Sequence, residues 1–130
     1  MGQKKLGQKD NRLVRAMTPM AGGIAARGGP CGALTGGQAL LGSVLGRDDP
    51  EARDDPMMWK ACYEFYSRFE TEVVETGDSI NCRDITGVDW RDRDQAKAFY
   101  KGEGVMQCAD NTGKAAQILG EILEKYMNKE

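Results

Sequence analysis

Four cysteines and no histidine set the chemistry open to this chain of 130 residues. Without histidine there is no Ser–His or Cys–His dyad, no His-ligated zinc and no haem attached through a Cys-x-x-Cys-His segment. Reactions near neutral pH are left to thiols, carboxylates and lysines. Three thiols stand out by context. Cys31 follows Gly28-Gly29-Pro30, and proline favours the first helical position, so Cys31 is expected in the first turn of a helix. Unpaired N–H groups and the positive end of the helix dipole favour a thiolate there, the form that attacks disulfides and binds thiophilic metals. Cys82 lies in Asn81-Cys82-Arg83-Asp84. Asn81 is a suitable N-cap, Asp84 stands where a capping acid belongs, and Arg83 adds positive charge. Cys108 falls near the start of a final helix on its apolar face. Asp110 and Asn111 are alternative caps that would leave it in the preceding turn. Each of the three also has a plain reading as a small apolar filler. Cys62, inside an apolar stripe, reads as an inert core thiol. No two cysteines are close enough in sequence for a CxxC or zinc-ribbon motif.

The elements that must position these thiols are helical, and no stretch alternates like a strand. Residues 1–9 are expected to be a flexible tail, with one domain over 10–130. Residues 10–17 suit a short helix capped by Asp10 or Asn11, interrupted by Thr18-Pro19. Eleven of the seventeen glycines lie in residues 1–47, and such density signals tight turns or close backbone approach. Residues 32–45 form a small-residue, buried helix closed by Gly46, with Gly32 and Gly36 on one face that admits a neighbour. The charged run 47–56 is a connection. A helix follows from Pro56 or Met57 to about Val74, with Met58, Cys62, Phe65, Phe69 and Val73 on one stripe, ended by Gly77. Residues 79–90 hold a short helix between turns, and residues 94–101 add a turn or two. The last helix spans about 105–126 with Cys108, Ala115, Leu119, Ile122 and Tyr126 facing the core. The expected fold is all-α, a small bundle of about four to five helices with a Gly-rich turn before a buried helix.

The formal net charge is -2, which gives no general attraction to nucleic acid or anionic membrane. It conceals an asymmetry. Residues 1–47 carry seven Lys/Arg against one acid, and residues 48–130 carry eleven against nineteen. The halves attract each other or a sister subunit, or the basic half takes an anionic ligand. Neither an apolar leader core nor a spanning run is present, so the expected setting is cytoplasmic. In a reducing compartment the cysteines are thiols or metal ligands rather than structural disulfides. The glycines of 22–37 lack the P-loop pattern, and Gly102-Glu103-Gly104 lacks the third glycine of a dinucleotide fingerprint. Trp59 and Trp90 read as core or rim packing.

The segments PCGALTGG, INCRDITG and CADNTGKAAQILGEIL together resemble the family of redox-active proteins named for a C–CGAxxG–C–C cysteine pattern. Cys31-Gly32-Ala33-Leu34-Thr35-Gly36 matches CGAxxG, and Cys82 and Cys108 match the third and fourth cysteines. The Gly-rich lead-in AGGIAARGG is also similar, and the resemblance covers roughly residues 10–127. It implies a first cysteine in an upstream helix, whereas no cysteine precedes Cys31 here. Either the chain starts late or that helix and its cysteine are lost. A lost helix would expose an apolar surface and favour a homodimer. A related domain occurs in a c-type cytochrome, but covalent haem is not implied for this chain.

Three functions follow as expectations. The first is electron transfer, or binding of an iron–sulfur cluster or other thiophilic metal, at Cys31, Cys82 and Cys108, with Gly28, Gly29, Gly32, Asn81 and Arg83 around the bound group and an unknown redox partner. The second is a cofactor-free thiol–disulfide oxidoreductase using the same cysteines. The third is a non-catalytic helical interaction protein with structural cysteines.

Overall fold

The computed structural model describes residues 1–74 and 79–127. Within them the chain forms seven α-helices: α1 (Gly2–Lys5), α2 (Asn11–Met17), α3 (Gly32–Leu45), α4 (Pro56–Arg68), α5 (Cys82–Thr86), α6 (Arg93–Lys101) and α7 (Gly104–Met127). A 3₁₀ turn, Thr18–Met20, extends α2, and a π-helical turn, Phe69–Val73, widens the end of α4. No strand is present among the described residues. The all-α bundle expected from the sequence is therefore the fold. The helix stop at Gly77 lies outside the described residues.

Helices α3, α4 and α7 pack on one another around a single core. The stripe of α4 supplies Phe65, Phe69 and Val73, all fully buried. Phe65 and Phe69 meet edge to face, with ring centroids 6.4 Å apart. Helix α7 contributes Ala115, Ile118, Leu119 and Ile122, and α3 contributes Leu34 and Leu41. Asn111 is buried within α7, where its Oδ1 accepts from Gln107 Nε2 at 3.1 Å, so it is not a cap. The close approach onto α3 occurs at Gly37: a Cβ there would lie 2.3 Å from the Phe65 ring. Gly36 faces open space and Gly32 has only the Met20 carbonyl, at 3.7 Å. The face expected from the Gly32–Gly36 spacing is thus one residue out, because Leu34 and Leu41 fix which side of α3 faces Phe65.

Polar contacts pin the ends. The Asp10 carboxylate caps α2 and the Asp55 carboxylate caps α4, whose first residue is Pro56. The Arg68 guanidinium holds Glu72 at 2.9 Å and Glu121 of α7 at 2.8 Å. Residues 1–9, read from sequence as a flexible tail, instead carry α1. It lies on α3 and α7, with Lys5 Nζ 2.6 Å from Glu124. Four residues are too few to show a helical period. An open apolar groove of about 640 Å³ runs between α1, α2, α3 and α7, lined among others by Met17, Met20, Gly36 and Leu40.

The Gly-rich lead-in is a left-handed turn. Gly22, Gly23, Ile24, Ala25 and Ala26 have φ of +64°, +75°, +64°, +52° and +59° in succession. Left-handed backbone costs a non-glycine residue roughly 1–2 kcal/mol. The turn is closed by hydrogen bonds from Gly28 N–H to Gly22 O at 3.0 Å and from Gly29 N–H to Gly23 O at 2.8 Å. Gly23 requires glycine on two counts, its φ and its contact with Gly29, which would lie 2.4 Å from any Cβ. No described helix is long and apolar enough to cross a membrane.

Candidate thiol redox site

The left-handed turn delivers residues 27–31 alongside residues 80–83, and four hydrogen bonds stitch the segments. Cys31 N–H donates to Ile80 O at 2.8 Å, Cys82 N–H to Gly29 O at 2.6 Å, and Arg83 N–H to Gly28 O at 3.2 Å. The Arg83 side chain adds Nη2 to Arg27 O at 3.1 Å. Pro30 and Asn81 form an isolated antiparallel bridge, and the residue after each is a cysteine. Cys31 then opens α3 and Cys82 opens α5. One backbone bridge therefore holds the two cysteine-bearing segments side by side, with Cys31 opposite Ile80 and Cys82 opposite Gly29. Gly28 permits it: its φ is +80°, and a Cβ would lie 2.9 Å from Arg83 Cβ.

These bonds alter the expected role of the helix starts. Cys31 is the N-cap of α3 rather than a first-turn residue, because Pro30 belongs to the bridge and not to the helix. The first amides of α5 are occupied by the carbonyls of Gly28 and Gly29. Asn81 is the N-cap of α5, but its side chain makes no capping bond. Its carbonyl accepts from Asp84 and Ile85, while Ser79 Oγ pairs with the Asp84 carboxylate. Gly28 and Gly29 thus act through their backbone, and Gly32 is simply the first residue of α3.

The decisive contact at Cys82 comes from elsewhere. Trp90 Nε1 donates to Cys82 Sγ at 3.3 Å. The indole is fixed by Phe99 and Tyr100 of α6, with ring centroids at 5.0 and 6.0 Å, and by Gly22, whose absent Cβ would meet Trp90 Cδ1 at 3.4 Å. Trp90, assigned to packing on sequence grounds, does pack on Phe99 and Tyr100, and its N–H in addition reaches Cys82. Its signal was indistinct, since the donor that matters is carried by an otherwise apolar ring.

Cys108 lies within α7. Burial pushes its thiol up, and the charges of Cys31 and Cys82 push it further. The Cys31 thiol is also pushed up, first by burial, against which the amides of Ala33 and Leu34 act, and then by the charge of Cys82. The thiolate-favouring effect expected for Cys31 is outweighed by desolvation. Cys62 is raised by burial alone and shares no interaction with the other three. All four cysteines are free and half-buried. Three thiols are a chemically suitable donor set for iron–sulfur or another thiophilic metal. Their placement does not fit one: among the described residues no three Cys, Asp or Glu side chains are grouped so as to hold a metal ion.

The chain matches the family model described as "Putative redox-active protein (C_GCAxxG_C_C)" over residues 1–122. It belongs to that family. Cys31, Cys82 and Cys108 fall in the order of the last three cysteines of the C_GCAxxG_C_C pattern. Around the first of these the chain reads Pro30-Cys31-Gly32-Ala33-Leu34-Thr35-Gly36. The family's pattern is GCAxxG, with glycine before the cysteine and alanine directly after it, and not the CGAxxG expected from the sequence, so Cys31-Gly32-Ala33 departs from it. Comparison with curated proteins and with solved structures gave no match.

Proposed function

We propose that Cys82 and Cys31 form a thiol–disulfide exchange pair, with Cys108 as the third thiol of the same centre. The observation that carries this reading is the influence of one thiol on the other, the charge of Cys82 bearing on Cys31, across segments that the Pro30–Asn81 bridge holds side by side. Cys82 is the attacking sulfur. It accepts a hydrogen bond from the Trp90 indole, a donor aimed at the sulfur. In the reductive direction, the Cys82 thiolate attacks one sulfur of a partner disulfide. A Cys82–partner bond forms, the partner S–S bond breaks and one partner thiol leaves. Cys31 then attacks Cys82 Sγ, closing a Cys31–Cys82 disulfide and releasing the second partner thiol. Two electrons pass to the partner, and the two protons of Cys31 and Cys82 end on its thiols. The partner is a redox protein or small disulfide in a reducing, cytoplasmic setting, and the open apolar groove is the surface for the expected homodimer.

The test is disulfide mapping. Equilibration with a mild disulfide oxidant should lower the mass by two hydrogens and join the Cys31 and Cys82 peptides. Cys31→Ser should instead accumulate a mixed disulfide on Cys82. A Cys82 that stays reduced while Cys62 or Cys108 oxidises sinks the proposal. Iron and zinc measured on anaerobically purified protein test the metal reading directly: a stoichiometric metal lost on Cys82→Ser would replace exchange with metal binding.

A further inference from the structure

A polar cavity of about 260 Å³ lies against the Cys82 corner, bordered by Arg27, Gly28, Arg83, Asp89, Trp90 and Arg91. The same Trp90 that lines it donates to Cys82 Sγ. Three guanidinium groups border this space against one carboxylate. That carboxylate, Asp89, is held by Arg91 through two bonds, at 3.1 and 3.3 Å. Among the described residues no carboxylate lies within ion-pair distance of Arg27 or Arg83. Arg83 is anchored by its bond to the Arg27 carbonyl, which leaves other guanidinium donors unassigned. Guanidinium groups present paired donors that match a carboxylate. The cavity is smaller than the usual range for a whole drug-sized ligand, so it suits one end of a molecule whose remainder extends outward.

We propose that this cavity binds the carboxylate end of a small disulfide substrate and presents its sulfur to Cys82. The inference rests on the reading of Cys82 as the attacking thiol and adds a substrate class to it. Cys82 forms a bond to the near sulfur, the substrate S–S bond breaks, and the far half departs as a thiolate that takes up a proton from water. Trp90 ties the two functions together, because one ring both borders the cavity and orients the attacking sulfur.

Two aromatic disulfides test this on the full chain carrying Cys31→Ser, in which the mixed disulfide on Cys82 is not resolved. One is 5,5′-dithiobis(2-nitrobenzoate), which carries two carboxylates; the other is 4,4′-dithiodipyridine, which is uncharged at neutral pH. Brief exposure, acid quenching and mass spectrometry of the Cys82 peptide give a labelling rate for each. The ratio of carboxylate to neutral rates should exceed that of the urea-unfolded chain. Arg27→Gln and Arg91→Gln should each lower the ratio about fivefold, the size of one partly exposed ion pair. Arg27→Lys should recover part of it. Arg12→Gln, which removes a positive charge from exposed α2, should leave it unchanged. Labelling of Cys82 by both probes at a ratio indifferent to Arg27 and Arg91 overturns the cavity assignment and leaves the exchange reading standing. A Cys82 that neither probe reaches overturns both.

Discussion

Helix α3 and the turn that precedes it are built from the same small residues and use them in opposite ways. In α3 glycine matters for the side chain it lacks: Gly37 lets the Phe65 ring reach the helix surface, and the backbone is ordinary right-handed helix. In the turn, handedness is what matters. Gly22, Gly23 and Gly28 adopt positive φ at little cost, and Ile24, Ala25 and Ala26 are carried into the same region against their preference. The first device makes a core. The second makes no core at all. It sets the register of residues 27–31 against 80–83 and so the placement of Cys31 and Cys82. Stability and chemistry are therefore written in different parts of the chain.

Substitutions can separate the two. The largest effect belongs to the core: Phe65→Ala should cost about 3–5 kcal/mol in urea unfolding, while the remaining folded protein keeps its Cys82 labelling rate. If that rate collapses as well, the corner is not independent of the core. Gly28→Ala should cost about 1–3 kcal/mol, since it combines a positive φ with a close approach to Arg83. Its stronger signature is loss of the Cys31–Cys82 crosslink under mild oxidant, and crosslinking at the normal rate would argue against the bridge as the positioning device. The third comparison uses one substitution with opposite signs. Ala25→Gly should stabilise by about 1 kcal/mol because glycine accepts positive φ, whereas Ala109→Gly on the exposed face of α7 should destabilise by about the same amount. Equal signs would remove the left-handed turn from the account.

pH gives the smallest separation. Cys31 and Cys108 are raised above their ordinary value of 9.0 by burial. The folded state then holds protons that the unfolded state releases, so stability present below about pH 9 declines as pH rises. Glu72, beside Arg68, is held below its ordinary value of 4.5 by that guanidinium. Its contribution is present above pH 4.5 and fades as pH falls, and it is small because the pair is exposed. Urea midpoints across pH should therefore fall on both limbs, with Cys31→Ser and Cys108→Ser flattening only the alkaline one.

The core was legible because its signals are local and periodic. Phe65, Phe69 and Val73 recur at helical spacing, Ala115, Leu119 and Ile122 likewise, and Asp10 announces the start of α2. The cysteine contexts and the family resemblance singled out Cys31, Cys82 and Cys108. The means of bringing them together was not legible. Pairing of Pro30 with Asn81 depends on backbone groups every residue carries, and it uses a handedness that Ile24, Ala25 and Ala26 argue against. That the first amides of α5 are taken by the distant carbonyls of Gly28 and Gly29 was hidden for the same reason. Trp90 and the cavity arginines were hidden because their role depends on which sulfur and which loop lie nearby.

The bond from Arg83 to the Arg27 carbonyl joins residues 56 positions apart. A growing chain leaves the ribosome with Cys31 long before Ile80, Cys82 or Trp90 exist. Until then the left-handed turn has only its own local hydrogen bonds to hold it. A truncated or stalled product carries Cys31 without the segment that bonds to it, so the contact between residues 27–31 and 80–83 forms only in a chain that has been made to its later half and folded back upon its beginning.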